Sequence, residues 1–284
     1  MKPLSFYFVL FMVLSLAQAR AIEKDVSGTI SFNISPPTST DIANWNTGWG
    51  SGGVTGWDYV GTVNGASGVY LGNNWVLTAG HVGSGTFVLG GTSYSVLAGS
   101  THGIVNPDST IADLTLFELS SAPSLPSLTI AGSAPTAFSA TQSGSMVAMI
   151  GYGGGQGETW GLNTVTDVNL PIEVTVGSST YSSTDFATEY GTITAGLASV
   201  TNDYVLVTGD SGGGDFIYNS ASSSWMLSGI NEAVDTNQNS YMVQLNAYAS
   251  QIDSITGVPE PSSLGLLGLG LGFLALVWRF RFVS

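Results

Sequence analysis

Short apolar runs, set apart by glycine, asparagine and serine, recur along the chain at 59–63, 68–72, 75–78, 86–89, 93–97, 114–119, 146–151, 172–176, 204–207, 215–218, 225–230 and 241–245. Runs of this length and spacing read as β-strands joined by tight turns, which predicts an all-β barrel or sandwich architecture. The 38 glycines supply turn conformations that other residues resist. One segment departs from the pattern. Leu245, Tyr248, Ile252 and Ile255 are spaced by three and four, so they share one face of a short helix.

At 284 residues the chain holds one large domain or two small ones. It has no cysteine, so packing and β ladders must stabilise it without disulfides. Charged residues make up only 8% of it, and the net charge is −14. Of its five Lys and Arg residues, Lys2 and Arg20 lie near the start and Arg279 and Arg281 near the end, leaving Lys24 alone in the body. A body this acidic has nothing to neutralise phosphate, which excludes nucleic acid as a partner. It is suited to solubility outside the cell.

The chemistry centres on Thr208-Gly209-Asp210-Ser211-Gly212-Gly213-Gly214, between two apolar runs. Glycines around a serine leave its hydroxyl bare and let a carbonyl approach main-chain N–H groups. Such a serine needs a base. The two histidines are His81, at the end of an apolar run leading into Thr78-Ala79-Gly80-His81, and His102, in the polar turn Ser100-Thr101-His102-Gly103. His81 is the candidate base and His102 a surface residue. Asp113 sits inside Ile111-Ala112-Asp113-Leu114-Thr115-Leu116, where a carboxylate is costly unless satisfied. An imidazole N–H would satisfy it. The chain order is therefore His81, Asp113, Ser211, as in chymotrypsin-type sites and unlike subtilisins or α/β-hydrolases.

Thr78-Ala79-Gly80-His81, Ala112-Asp113-Leu114-Thr115-Leu116 and Gly209-Asp210-Ser211-Gly212-Gly213 together resemble the three signatures of trypsin-like serine proteases. The resemblance covers roughly residues 57–255. It implies two six-stranded antiparallel β-barrels with the site in the cleft between them and a short C-terminal helix. A strand ending in Gly151-Tyr152-Gly153 resembles the one that opens the family's second barrel. The implied roles are Ser211 as nucleophile, His81 as base and Asp113 as its orienting carboxylate. The N–H groups of Gly209 and Ser211 form the oxyanion hole, and Asp210 is a structural aspartate. In the family the base of the primary pocket lies six residues before the nucleophile, here Val205, with the wall running through Gly229 and Glu232. An aliphatic base predicts a neutral, apolar preference at the cleaved residue, with Glu232 a possible acidic contact.

The family's cleavage motif before a new Ile-Val-Gly-Gly terminus is absent. The partners left for Asp210 are Lys24, neutral donors, or the α-amino group of Ile22 after cleavage behind Ala21. Asp235-Thr236-Asn237-Gln238-Asn239 begins like a calcium loop, but Ser240 and Asn246 stand where glycine and glutamate are required, which rules out an EF-hand. A calcium site of another kind stays open. No metal or cofactor is expected.

Residues 1–21 read as a secretory signal peptide, with an uncleaved anchor as the alternative. Residues 22–56 form a loop-rich arm whose tryptophans pack on the body. The first barrel spans 57–120, a proline-containing linker 121–139, and the second barrel with its helix 140–257. Val258-Pro259-Glu260-Pro261, the uncharged stretch 262–278 and Arg279-Phe280-Arg281 resemble the PEP-CTERM sorting signal of Gram-negative bacteria, whose tail an exosortase removes. The resemblance implies transient inner-membrane insertion through 262–278, with a permanent anchor as the alternative. It places the protein at the cell surface or in the extracellular matrix after processing by signal peptidase and exosortase. The expected function is an exported serine endopeptidase acting through an acyl-enzyme on protein or peptide substrates. Two other readings remain: a non-catalytic surface or matrix binding protein with a protease fold, and an esterase, which the order His-Asp-Ser argues against.

Overall fold

The computed structural model of the chain describes residues 8–10, 22–26, 29–49 and 53–257. The expected leader and the 258–284 tail otherwise lie outside the described residues, and with them the proposed membrane segment.

The first half forms one sheet from β1 (Val60–Val63), β2 (Ala66–Gly72), β3 (Trp75–Thr78), β4 (Phe87–Leu89), β5 (Thr92–Tyr94), β6 (His102–Val105) and β7 (Ile111–Glu118). Their order is β5-β4-β1-β2-β3-β7-β6, and every ladder is antiparallel. Two-residue turns set the hairpins. Asn64-Gly65, Asn73-Asn74 and Gly90-Gly91 all have positive φ at both positions, which matches the right-handed twist of the strands they join.

The second half forms a sheet from β8 (Met146–Gly151), β9 (Thr159–Thr164), β10 (Asp167–Val176), β11 (Ser179–Thr188), β12 (Gly214–Asn219), β13 (Ser224–Val234) and β14 (Ser240–Gln244). Their order is β10-β11-β14-β13-β12-β8-β9, again antiparallel, and Phe8–Leu10 adds a short parallel strand beside β10. The architecture is the all-β, two-unit one expected, with one short α-helix among the described residues. The units are seven-stranded rather than six-stranded. Among the described residues no ladder joins β5 to β6 or β9 to β10 to close either sheet into a barrel.

The two sheets share one core. Val69, Leu77, Leu116 and Phe117 of the first pack in the same cluster as Ile150, Phe216, Leu227 and Ile230 of the second. Helix α1 (Ala249–Thr256) buries Ile252 in that cluster. It ends at Gly257, whose φ of 61° is the left-handed conformation that closes a helix. The arm is held by aromatic rings. Trp45 is fully buried and meets Trp225 edge-on at 4.9 Å, while Trp49 stacks on Trp225 at 5.5 Å. Trp225 Nε1 donates to the Asn44 carbonyl, which fixes the ring orientation.

Two local expectations change. The strand expected over 93–97 stops at Tyr94, and Val96 makes only an isolated bridge with Leu119. His102 is exposed as expected but begins a strand, β6, opposite Leu116. Among the described residues no helix is long and apolar enough to cross a membrane.

Trp45→Ala removes the largest side chain that ties the arm to β13. It should cost about 3–5 kcal/mol of stability, the usual range for truncating a buried tryptophan, read from urea unfolding.

Candidate active site

Strand β3 runs through fully buried Val76, Leu77 and Thr78 and delivers His81 in the turn just beyond it. Asp113 lies in β7 with no exposure at all. Its Oδ2 sits 2.6 Å from His81 Nδ1, and its Oδ1 accepts the His81 main-chain N–H at 2.7 Å. Both oxygens are thus spent on one residue, which fixes the position and the ring plane of His81 together. Nδ1 carries the proton in this arrangement and Nε2 is left as the basic nitrogen. Gly80 is glycine because a Cβ there would lie 3.0 Å from Asp113 Oδ1 and from the Tyr181 ring.

Ser211 is carried by the turn before β12. Its main-chain carbonyl accepts the Ser67 N–H at 2.9 Å, and the Gly209 carbonyl accepts the Ser67 hydroxyl at 3.0 Å. Ser67 Oγ also receives the Tyr152 N–H, and the Ser67 carbonyl takes the Thr78 hydroxyl at 2.7 Å. Ser67, in β2 and fully buried, therefore staples the serine turn to the first sheet beside the strand that leads to His81. The approach is too close for a side chain at Gly212, where a Cβ would lie 2.1 Å from the Ser67 carbonyl and 2.2 Å from Thr78 Oγ1. The Ser211 hydroxyl itself points to the Glu232 carbonyl at 3.5 Å.

The N–H groups of Asp210, Gly212 and Gly213 are bonded to Val207, Asn231 and Asp210 carbonyls. Those of Gly209 and Ser211 have no acceptor among the described residues. Two donors flanking one serine are the arrangement that can receive a developing oxyanion.

Asp210 is fully buried. Its Oδ1 accepts the Gly153 N–H at 2.7 Å and its Oδ2 the Val207 N–H at 3.0 Å. Gly151 makes room for this carboxyl, since a Cβ there would lie 2.5 Å from Oδ1. The Gly151-Tyr152-Gly153 sequence thus has a structural reason. Burial pushes Asp210 up to about 7, against the pull of the Val207, Gly153 and Ile22 N–H groups. Ile22 is itself fully buried, with its N–H 3.1 Å from Thr159 Oγ1. Lys24 is directed elsewhere, 3.9 Å from Asp203 and over the Tyr204 ring.

The three expected pocket residues are all buried. Val205 pairs with Glu23 in a small sheet. Gly229 is packed inside the second sheet, where a Cβ would strike Phe186 at 2.6 Å. The Glu232 carboxyl turns inward, and its Oε1 accepts the Ser183 hydroxyl at 3.1 Å. A register shift between Asn231 and Ala233 in the β13–β14 ladder places Glu232 on the inner side. The Glu232 carboxyl is thus engaged inside the second sheet rather than presented at its surface.

Ser183 and Ser67 were not legible as site residues. Ser183 Oγ accepts the Asp113 N–H at 2.9 Å. Both are single serines inside strands, without a motif of their own. Asp235 closes a turn by accepting from Asn237, Asn239 and Tyr241. Among the described residues no group of three or more His, Cys, Asp and Glu side chains is placed to hold a metal ion.

The family model described as trypsin matches residues 51–252, and the PEP-CTERM protein-sorting motif matches residues 257–281. No curated protein matches the sequence. Among solved structures, an inactive mutant form of Rv3671c from M. tuberculosis is 14% identical with a TM-score of 0.49, over 81% of this chain and 99% of that one. The NS6 protease from murine norovirus 1 is 13% identical with a TM-score of 0.41, over 66% of this chain and 90% of that one.

Burial pushes Asp185 up to about 7 and Glu158 up to about 9, and raises Asp215 and Glu232 well above the usual carboxylate range. Each holds its proton more tightly folded than unfolded, so stability is greatest at low pH and falls as pH rises. For Asp185 the loss runs from 3.8 to about 7, and for Glu158 from 4.5 to about 9. Scanning calorimetry should show a thermal midpoint that falls between about pH 4 and pH 9. Asp215→Asn should flatten that dependence.

Proposed function

The chain belongs to the trypsin family of proteases, and from that premise we propose that it is an exported serine endopeptidase. Ser211 attacks the scissile carbonyl and forms the acyl-enzyme. His81 takes the serine proton through Nε2 and passes it to the leaving amine. Asp113 holds the imidazole tautomer and stabilises the imidazolium. The free N–H groups of Gly209 and Ser211 receive the oxyanion, where losing one donor typically costs about 3–4 kcal/mol of barrier. The observation that carries this reading is the double engagement of His81 by Asp113, through ring and main chain, beside a serine turn bonded to the same sheet.

Export begins with removal of residues 1–21 by signal peptidase. Cleavage behind Ala21 would place a new ammonium at Ile22, whose nitrogen already acts on Asp210. The buried Ile22 side chain, among Val147, Met149, Phe186 and Met242, holds that end in place. The ammonium then supplies the cation that Asp210 otherwise lacks and secures the Gly209–Ser211 turn. The PEP-CTERM motif marks export through a Gram-negative exosortase system to the cell surface. We assign residues 22–56 to the arm, 57–120 and 140–257 to the two sheet units, 121–139 to the linker, and 258–284 to a tail that inserts in the inner membrane through 262–278 before its removal.

Substrate preference follows from Val205 and from the inward turn of Glu232, whose carboxyl accepts the Ser183 hydroxyl. The pocket then presents no acid to a basic residue. Peptides cleaved after Leu or Phe should be turned over faster than those cleaved after Arg or Lys, and the reverse order would refute the assignment. Ser211→Ala should lower kcat by about a million-fold, the loss seen when such a nucleophile is removed. Protein beginning at Ile22 should exceed an N-terminally extended form by about 100-fold in kcat/KM, a loss typical of a misplaced reacting group. Equal activity of the two forms would remove Ile22 from the account.

A further inference from the structure

Strand β11 of the second sheet lies against the two proposed triad members that belong to the first. Side chains on a strand alternate between faces, so Tyr181 and Ser183 share one. Ser183 Oγ accepts the Asp113 main-chain N–H at 2.9 Å. Two residues earlier, the Tyr181 ring meets the His81 ring near edge-on, with centroids 6.4 Å apart and planes inclined by 63°. Other contacts pin the strand there. Asn106 Nδ2 donates to the Ser182 carbonyl at 2.6 Å. The Thr184 N–H donates to the Tyr248 hydroxyl, which donates on to Asn106 Oδ1 at 3.0 Å. The proposed chemistry gives Tyr181 no part.

Gly80 completes the contact. A Cβ there would lie 3.0 Å from Tyr181 Cε1, so the ring rests directly on the backbone that leads into His81. The Tyr181 hydroxyl reaches the Gly80 carbonyl only at 3.4 Å, long for an O–H···O bond. The ring, more than the hydroxyl, therefore carries the contact. We propose that Tyr181 is a positioning residue of the triad, whose ring walls His81 from the second sheet and keeps the imidazole seated on Asp113.

The inference rests on the triad reading above. Asp113 holds His81 through Nδ1 and the main-chain N–H, and both contacts lie within the first sheet. The imidazole must stay in place while it carries the serine proton, until it passes that proton to the leaving amine. The His81 side chain is only 10% exposed, and the half-buried Tyr181 covers one flank of it. Edge-on aromatic pairs favour a particular geometry beyond the space they fill. Tyr181 and Ser211 both belong to the second sheet. The same ring contact therefore ties the base to the sheet that carries the nucleophile.

The test measures kcat and KM on a peptide cleaved after Leu, for the full chain produced with its leader so that the host processes it. Tyr181→Ala should lower kcat about tenfold with KM within about twofold of wild type, the effect of losing one orienting contact on the base. Tyr181→Phe keeps the ring and should hold kcat within about twofold of wild type. The far-downfield proton NMR signal of the His81 Nδ1–H held by Asp113 should persist in wild type and in Tyr181→Phe. In folded Tyr181→Ala it should broaden or vanish, which a loss of stability alone would not cause. Wild-type kcat or an unchanged signal in Tyr181→Ala overturns the proposal while leaving the triad in place. So does an equal loss in Tyr181→Phe, or a loss confined to KM. If Tyr181→Ala does not fold, Tyr181→Thr decides by the same kcat criterion, since threonine suits a strand and has no ring. A folded wild type with no peptidase activity and no fluorophosphonate label overturns the triad reading, and this inference with it.

Discussion

Carboxylates buried in a body that has almost no cations are the constraint on which this structure depends. Each finds its own answer. Asp113 is satisfied by the ring and main chain of His81. Asp210 is satisfied by the N–H groups of Gly153 and Val207, with Ile22 close by. Burial raises the pKa of Asp185, Asp215 and Glu232 instead, which favours the neutral form of each. This last arrangement makes the fold less stable as pH rises.

The second element of the account is the join between the sheets. His81 and Asp113 belong to the first sheet and Ser211 to the second, so relative placement decides whether they form one site. Ser67 makes that join with three contacts to the serine turn and the Gly151-Tyr152-Gly153 segment. The glycines at 151 and 212 are required because carboxyl and carbonyl oxygens occupy the space a Cβ would take. Glycine in this serine motif is thus a packing requirement as well as a source of turn freedom.

The sequence made much of this legible. The positions of His81 and Asp113 could be read because a carboxylate in an apolar strand demands a partner, and the structure supplies that one. The closing helix was legible from the spacing of Leu245, Tyr248, Ile252 and Ile255, and the structure forms α1 over 249–256. The facing of side chains along β13 was not legible. The shift between Asn231 and Ala233 sets which residues face inward there, and Glu232 turns its carboxyl to Ser183. A bulge of this kind has no composition signature. Ser67 and Ser183 escaped for a related reason, since their partners are 142 and 49 residues away in sequence and only the sheet packing brings them together. The number of strands per sheet and the open edges were likewise decided by pairing rather than by local pattern.

The claim on which the rest turns is that Ser211 is an activated nucleophile. The direct measurement is labelling of residues 22–257 with a fluorophosphonate, beside Ser211→Ala, with the modified residue located by mass spectrometry. The account predicts one adduct, on Ser211, in the wild type and none in the variant. A folded wild type that takes no label, or a variant that is labelled as fast as wild type, would contradict it.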